Sequence, residues 1–407
     1  MLQFGTGMLL RALCAESVDA ANRARAFNGR IVVVQSTAQG NARAMNAQDG
    51  LFTLVERGLQ NGAPVERTRL IGSIARALVA DTEWEAARAV AARPELRVIV
   101  SNVTEAGFRR EGPFPARLTD VLRARFERLP DGPPLFVIPT ELVPDNGPQL
   151  AAMVNEVVKE NGGDAFRAWL STHVRFCSSL VDRIVTAPPP DQHAALETTL
   201  GYRDALLTVT EPYALWAIEA DPAELRAAFP IESANVVFAP DIAFYRERKL
   251  RLLNALHTAT VPLALLAGVR TVREAATHPL LGPFQKRLLF DEIIPATELP
   301  ADQARAFAHE VLERFANPWL EHEYRVIATN QLDKFKIRVV PLIVAGARQH
   351  PEGLALATAA HLTYTGASLE SLSEVAQIPE FAAATTQWTE VLAREGVETA
   401  LETLRCT

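Results

Sequence analysis

Three residues in the stretch YRERKLRLLNALHTATVP, Tyr245 to Pro262, have the types and spacing to move a proton and hold an oxyanion: Lys249, Asn254 and His257. On an α-helix with Lys249 at zero, Asn254 falls at about 140° and His257 at about 80°, so all three project within less than half a turn. In the first turns of a helix, among Arg246, Arg248 and Arg251, the lysine feels positive potential that disfavours its ammonium form. A neutral lysine is a usable general base toward a secondary alcohol. An amide N–H and an imidazole N–H beside it can hold the oxygen as charge develops. Leu250, Leu252, Leu253 and Leu256 would pack inward. An amphipathic helix of that kind needs no function in itself, so the rest of the chain has to decide.

Oxidising an alcohol requires a hydride acceptor, and the N-terminus offers a place for one. MLQFGTGMLLRA, Met1 to Ala12, reads as a strand entering a glycine turn and a helix. Gly5 and Gly7, with Thr6 between them, form G-x-G: the first glycine permits a tight turn and the second lets backbone approach a pyrophosphate. Leu10 stands where the third glycine of the dinucleotide fingerprint belongs. Only four residues precede Gly5, fewer than the roughly 5–6 of a typical strand, which predicts that the first strand begins upstream of Met1.

Arg30 to Gln35 (RIVVVQ) and Leu96 to Ser101 (LRVIVS) read as strands buried on both faces of a parallel sheet. Gln35 ends the first, where an acidic residue would usually take the ribose hydroxyls. Asn102 and Thr104 follow the second, on the side where open parallel sheets bind ligands, although either could equally cap a helix. Gly5, Thr6, Gly7, Gln35, Asn102 and Thr104 are the cofactor candidates.

Pro134 to Pro139 is a further strand, with helices at Leu150 to Glu160 and Ala165 to His173. Val174 to Thr186 sets Asp182 and Arg183 in apolar surroundings, as a structural ion pair or at the rim of a site, and Asp182 stands as a substrate candidate. Leu206 to Glu211 and Ala234 to Phe238 are strand-like. From Lys249 onward the periodicity is helical: 249–268, 301–316, 354–364 and 381–394. This predicts an α/β dinucleotide-binding domain over 1–240 and a mostly α-helical substrate and catalytic domain over 241–407. In the second, Lys334, Lys336 and Arg338 alternate in KFKIR. Extended, they face one way, and toward a cleft they would bind a carboxylate, Arg338 bidentately.

Composition narrows the rest. The 407 residues are 48% hydrophobic and 22% charged, a globular balance with room for two cores. A net charge of -7 with no basic run argues against nucleic acid. Cys14, Cys177 and Cys406 are far apart, with neither disulfide nor metal-ligand spacing. Without an apolar run of the ~18 residues a membrane helix needs, and without a leader, the expected location is the cytoplasm.

K-x4-N-x2-H in KLRLLNALHT resembles the catalytic motif of the mannitol dehydrogenase family of polyol-specific long-chain dehydrogenases. RFCSSLVDRIV around Asp182 resembles the family's other signature, with Thr186 where proline or serine is usual. QFGTGMLLRA, QDGLFTLVERG, VSNVTEAG and KFKIRVVP are also similar, in order along essentially the whole chain. Ala255 replaces the glycine usual after the motif asparagine, and Leu142 stands where polyol-oxidising relatives carry an asparagine. The resemblance implies a Rossmann-type NAD-binding domain, a helical C-terminal domain and no catalytic metal. It implies reversible reduction of D-tagaturonate to D-altronate, with Lys249 as acid/base and Asn254 and His257 stabilising the alkoxide. The alternatives are the sibling reaction on D-fructuronate, a neutral polyol such as mannitol, or a non-catalytic NAD-binding sensor. A small uronate or aldonate is the expected partner.

Overall fold

The computed structural model describes residues 1–161 and 163–406. Its chain divides into two compact units, one of residues 1–57 and 66–242, the other of residues 58–65 and 243 onward.

The first unit is built on a six-stranded sheet ordered β5-β2-β1-β6-β7-β8: Ile74–Val79, Ile31–Gln35, Leu2–Phe4, Val98–Ser101, Leu135–Pro139 and Val174–Phe176. Every neighbouring pair is parallel. Parallel strands need crossovers that cover both faces, and the continuous apolar runs follow from this. Val33 and Val100 enter a core with Leu13 and Val18 of the helix after the glycine turn. Their sequence neighbours Val34 and Ile99 enter a core with Leu118 and Val154 on the opposite face. β1 has only three residues, yet it pairs on both sides, Phe4 lying opposite Val34 and Ser101.

Two smaller sheets accompany the six-stranded one, apart from residues 58–65, which belong to the second unit. One is ordered β10-β11-β3-β4 (Val185–Thr186, Thr208–Thr210, Phe52–Gln60, Ala63–Ile71), the other β13-β12-β9 (Val236–Ala239, Leu215–Glu219, Ser179–Asp182). Here the adjacent Asp182 and Arg183 part company. Arg183, with a side chain 1% exposed, turns to Glu56 at 3.2 Å and Glu16 at 3.7 Å. Asp182 is buried on β9 opposite Leu215.

The second unit is helical. Its centre is Ala255–Leu266, buried from Ala255 through Ala264 and packed against Glu352–Thr365. Threonines inside it are satisfied locally, Thr260 donating to the Leu256 carbonyl at 2.7 Å. Among the described residues no helix is long and apolar enough to cross a membrane.

Candidate active site

Lys249 opens and Asn254 closes a π-helical segment joining helix Ala243–Arg248 to helix Ala255–Leu266. Two expectations change. Six helical residues precede Lys249, so it lies beyond the first turn, where the helix-terminal potential falls off. In addition, an i→i+5 ladder takes more residues per turn than an α-helix, which brings positions five apart closer to one face than the α spacing would. His257 then follows Asn254 by three residues in regular α geometry. The neighbouring arginines are committed elsewhere: Arg248 lies 4.4 Å over the Phe307 ring, and Arg251 pairs with Glu247 at 2.9 Å.

His257 is buried, its imidazole stacked on Phe315 and edge-on to His322. Burial, and then the charge of Arg314, holds the His322 imidazole below its ordinary value, so that ring favours its neutral form.

The KFKIR segment is not extended. Gln331–Arg338 is a helix, so the alternating cations do not share a face. Lys334 and Arg338, one turn apart, are half-buried together, while Lys336 points to solvent. The Lys334 ammonium donates to the Ile327 carbonyl at 2.9 Å, and Arg338 Nη1 donates to Thr258 Oγ1 at 3.2 Å. Burial lowers the pKa of both, and the Arg338 charge lowers that of Lys334 further. Among the described residues no carboxylate forms an ion pair with either. Like charges at i,i+4 oppose one another, so an anion from outside would relieve the pair.

In the first unit the glycine turn leaves the carboxyl end of β1. Gly5 has φ +115°, and a Cβ there would stand 2.5 Å from the Asn102 carbonyl oxygen. Gly7 caps the helical run that starts at Met8, and a Cβ there would meet nothing within 4 Å. The Thr6 carbonyl accepts from Arg11 at 2.9 Å and from Asn41 at 3.1 Å. A braced turn with open space over Gly7, at a helix start, fits a dinucleotide pyrophosphate.

The other polar residues here are engaged by the protein itself. Gln35 Oε1 accepts from Ala42 N and its amide donates to the Thr37 carbonyl, bracing the loop after β2. Asn102 donates to the Thr140 carbonyl and hydroxyl, and Thr104 accepts from Gly107 N in its own turn. Sequence reasoning gave no role to Glu141, a buried carboxyl at the end of β7 that accepts from Val103 N at 2.8 Å and Ser101 Oγ at 3.1 Å. Burial pushes that carboxyl up. Leu142, beside it, is 78% exposed.

Residues 1–228 match the family model of the mannitol dehydrogenase Rossmann domain, and residues 241–405 that of the mannitol dehydrogenase C-terminal domain. Curated relatives named altronate oxidoreductase include one from Klebsiella pneumoniae subsp. pneumoniae, 38% identical over 383 residues, covering 89% of this chain and 79% of its own. Another, from Halalkalibacterium halodurans, is 38% identical over 382 residues, covering 89% of this chain and 74% of its own. Among solved structures, a substrate-free D-sorbitol dehydrogenase superposes with a TM-score of 0.85 at 20% identity, over 98% of this chain and 94% of its own. Mannitol 2-dehydrogenase of Pseudomonas fluorescens, solved with NAD and D-mannitol, gives 0.72 at 23% identity, over 100% and 94%. At those identities the structures establish the Rossmann-type and helical fold. With both domain models matched in order, the chain belongs to the mannitol dehydrogenase family.

Proposed function

We propose that the protein is an NAD-dependent oxidoreductase that reduces D-tagaturonate to D-altronate, reversibly. Relatives named altronate oxidoreductase, aligned over 89% of the chain, support the substrate class. The observation in the structure that carries it is the half-buried pair Lys334 and Arg338, which has no carboxylate partner among the described residues and whose helix is bonded to Thr258, next to His257. A keto-uronate brings a carboxylate to such a pair. A neutral polyol does not.

NADH, when bound at the glycine turn, supplies the hydride. The chain handles the oxygen. In the reducing direction Lys249 donates its proton to the ketone oxygen as that oxygen becomes an alkoxide, and in the oxidising direction it takes the proton back. The Asn254 amide and an imidazole N–H of His257 donate to the same oxygen, and donors placed in advance of the charge are worth about 2.7–4 kcal/mol each. Phe315, stacked on His257, limits the swing of the imidazole.

The test is NADH oxidation by the purified protein with D-tagaturonate, D-fructuronate and D-fructose at equal concentration. The expected order has D-tagaturonate first and the neutral ketose last. Preference for D-fructose would overturn the carboxylate reading, and preference for D-fructuronate would keep the chemistry and change the epimer.

A further inference from the structure

We propose that Thr258 is a positioning residue that sets where the substrate carboxylate lies relative to the reacting oxygen. This rests on the reading that Arg338 takes the carboxylate. Thr258 is fully buried and joins two segments of the helical unit. Its hydroxyl donates to the Asn254 carbonyl at 2.8 Å. A hydroxyl has one hydrogen, so with that hydrogen committed its lone pairs are left as acceptors, and Arg338 Nη1 donates to them at 3.2 Å. The Thr258 carbonyl accepts from Gln331 Nε2 at 2.8 Å.

Gln331 and Arg338 lie two turns apart on one helix face, and both end on this threonine. A second tie closes the other end of the same helix: Arg251 Nη1 donates to the carbonyls of Ile337 and Arg338 at 3.0 and 3.3 Å. The helix carrying the anion site is therefore fixed by hydrogen bonds to the segment that carries Lys249 and Asn254. A guanidinium binds a carboxylate through a planar fork, so its orientation decides whether one or two bonds form. The Thr258 hydroxyl sets that orientation. The ligand it selects is a keto acid whose carboxylate stands at one fixed reach from the ketone.

The hydroxyl and the carbonyl of Thr258 do separate work, which makes the idea testable. Thr258→Val removes both hydroxyl bonds, the one from Arg338 and the local one to the Asn254 carbonyl, and keeps the carbonyl that docks Gln331. Thr258→Ser restores the hydroxyl. With D-tagaturonate, Thr258→Val is expected to raise KM about tenfold, the range for a hydrogen bond to a charged group, with kcat within about threefold of wild type. Thr258→Ser is expected to return KM to within about threefold of wild type. Melting temperatures of both variants are measured alongside. A fall in kcat without a rise in KM, or a valine defect that serine does not rescue, overturns the proposal. Arg338→Met separates it from the reading beneath it. If that variant leaves KM for D-tagaturonate unchanged, the carboxylate reading fails and this proposal with it. If it raises KM and Thr258→Val does not, the reading stands and Thr258 has no part in it.

Discussion

The imidazole of His257 lies on the ring of Phe315 with centroids 4.0 Å apart and planes 27° apart, and His322 meets its edge at 5.5 Å. An aromatic stack is worth about 0.5–1.5 kcal/mol beyond its buried area. Phe315→Leu keeps the site apolar and removes the stack, so kcat is expected to fall by up to about tenfold with little change in KM. Steady-state kinetics beside a thermal melt checks this, and an unchanged kcat would show that the ring does not hold the imidazole.

Removing the acid/base should cost more than removing a donor. Lys249→Ala is expected to lower kcat about 10²–10⁴-fold and Asn254→Ala about 10²–10³-fold. NADH binding, followed by fluorescence titration, should stay near wild type in both. Near wild-type turnover by the lysine variant would remove Lys249 from the mechanism.

Lys334 carries a pH signature. Burial and the Arg338 charge lower its pKa, so its ammonium loses its proton at lower pH than a solvated lysine does. KM for D-tagaturonate is therefore expected to climb on the alkaline side before the range of a free lysine. A bound carboxylate favours the ammonium, so kcat at saturation should lack that inflection. In Lys334→Gln the KM should be raised at every pH and the alkaline climb lost. A variant profile parallel to wild type would assign the titration elsewhere.

His361 lies fully buried beneath the same helix, its ring 4.1 Å from that of Phe335 and 11° off parallel, and among the described residues neither ring nitrogen has a hydrogen-bond partner. Burial lowers its pKa from 6.5 to about 4. The unfolded chain therefore binds the proton more readily, and stability falls as pH drops from about 6.5 toward 4, by up to about 3 kcal/mol. Denaturant melts at several pH values should show that slope, reduced in His361→Leu. An identical slope in the variant would place its origin in other groups.

The glycine turn can be tested at two positions with different outcomes. A methyl at Gly5 meets the Asn102 carbonyl and a positive φ, so Gly5→Ala should lower both the melting temperature and NADH affinity. A methyl at Gly7 meets no protein atom, so Gly7→Ala should leave the melting temperature nearly unchanged and weaken NADH about tenfold or more by occupying cofactor space. Unaltered NADH affinity in Gly7→Ala would move the pyrophosphate away from this turn.

The main sheet was legible because strands buried on both faces leave continuous apolar runs, as in RIVVVQ and LRVIVS. β4 was not, since Ala63–Ile71 is mostly solvent-exposed and has no apolar period to read. KFKIR misled for a related reason: alternating charged and apolar residues also fit a short helix. Burial separates the two. A strand would turn Phe335 and Ile337 to the same side, whereas Phe335 is fully buried and Ile337 is 62% exposed. Lys249, Asn254 and His257 could be picked out by type and spacing, but an i→i+5 turn leaves no mark in composition. Thr258 was invisible as well, since only the packed structure distinguishes a threonine that joins two segments from one that merely back-bonds, like Thr260.

The π-helical turn from Lys249 to Asn254 makes the helical geometry there matter as much as the identity of the residues. Relaxing the run from Ala243 to Leu266 to regular α geometry with every residue kept would give it i→i+4 bonds except at Pro262, which has no N–H, and a more regular helix locally. That would turn Lys249 by roughly a quarter of a turn relative to Asn254 and His257, because five α-helical steps advance about 500° and five π-helical steps only a little more than one full turn. Selection for a more stable helix and selection for a working proton donor thus pull in opposite directions at one point of the chain. A search for substitutions that favour a regular α-helix here would find this turn attractive and remove the chemistry with it.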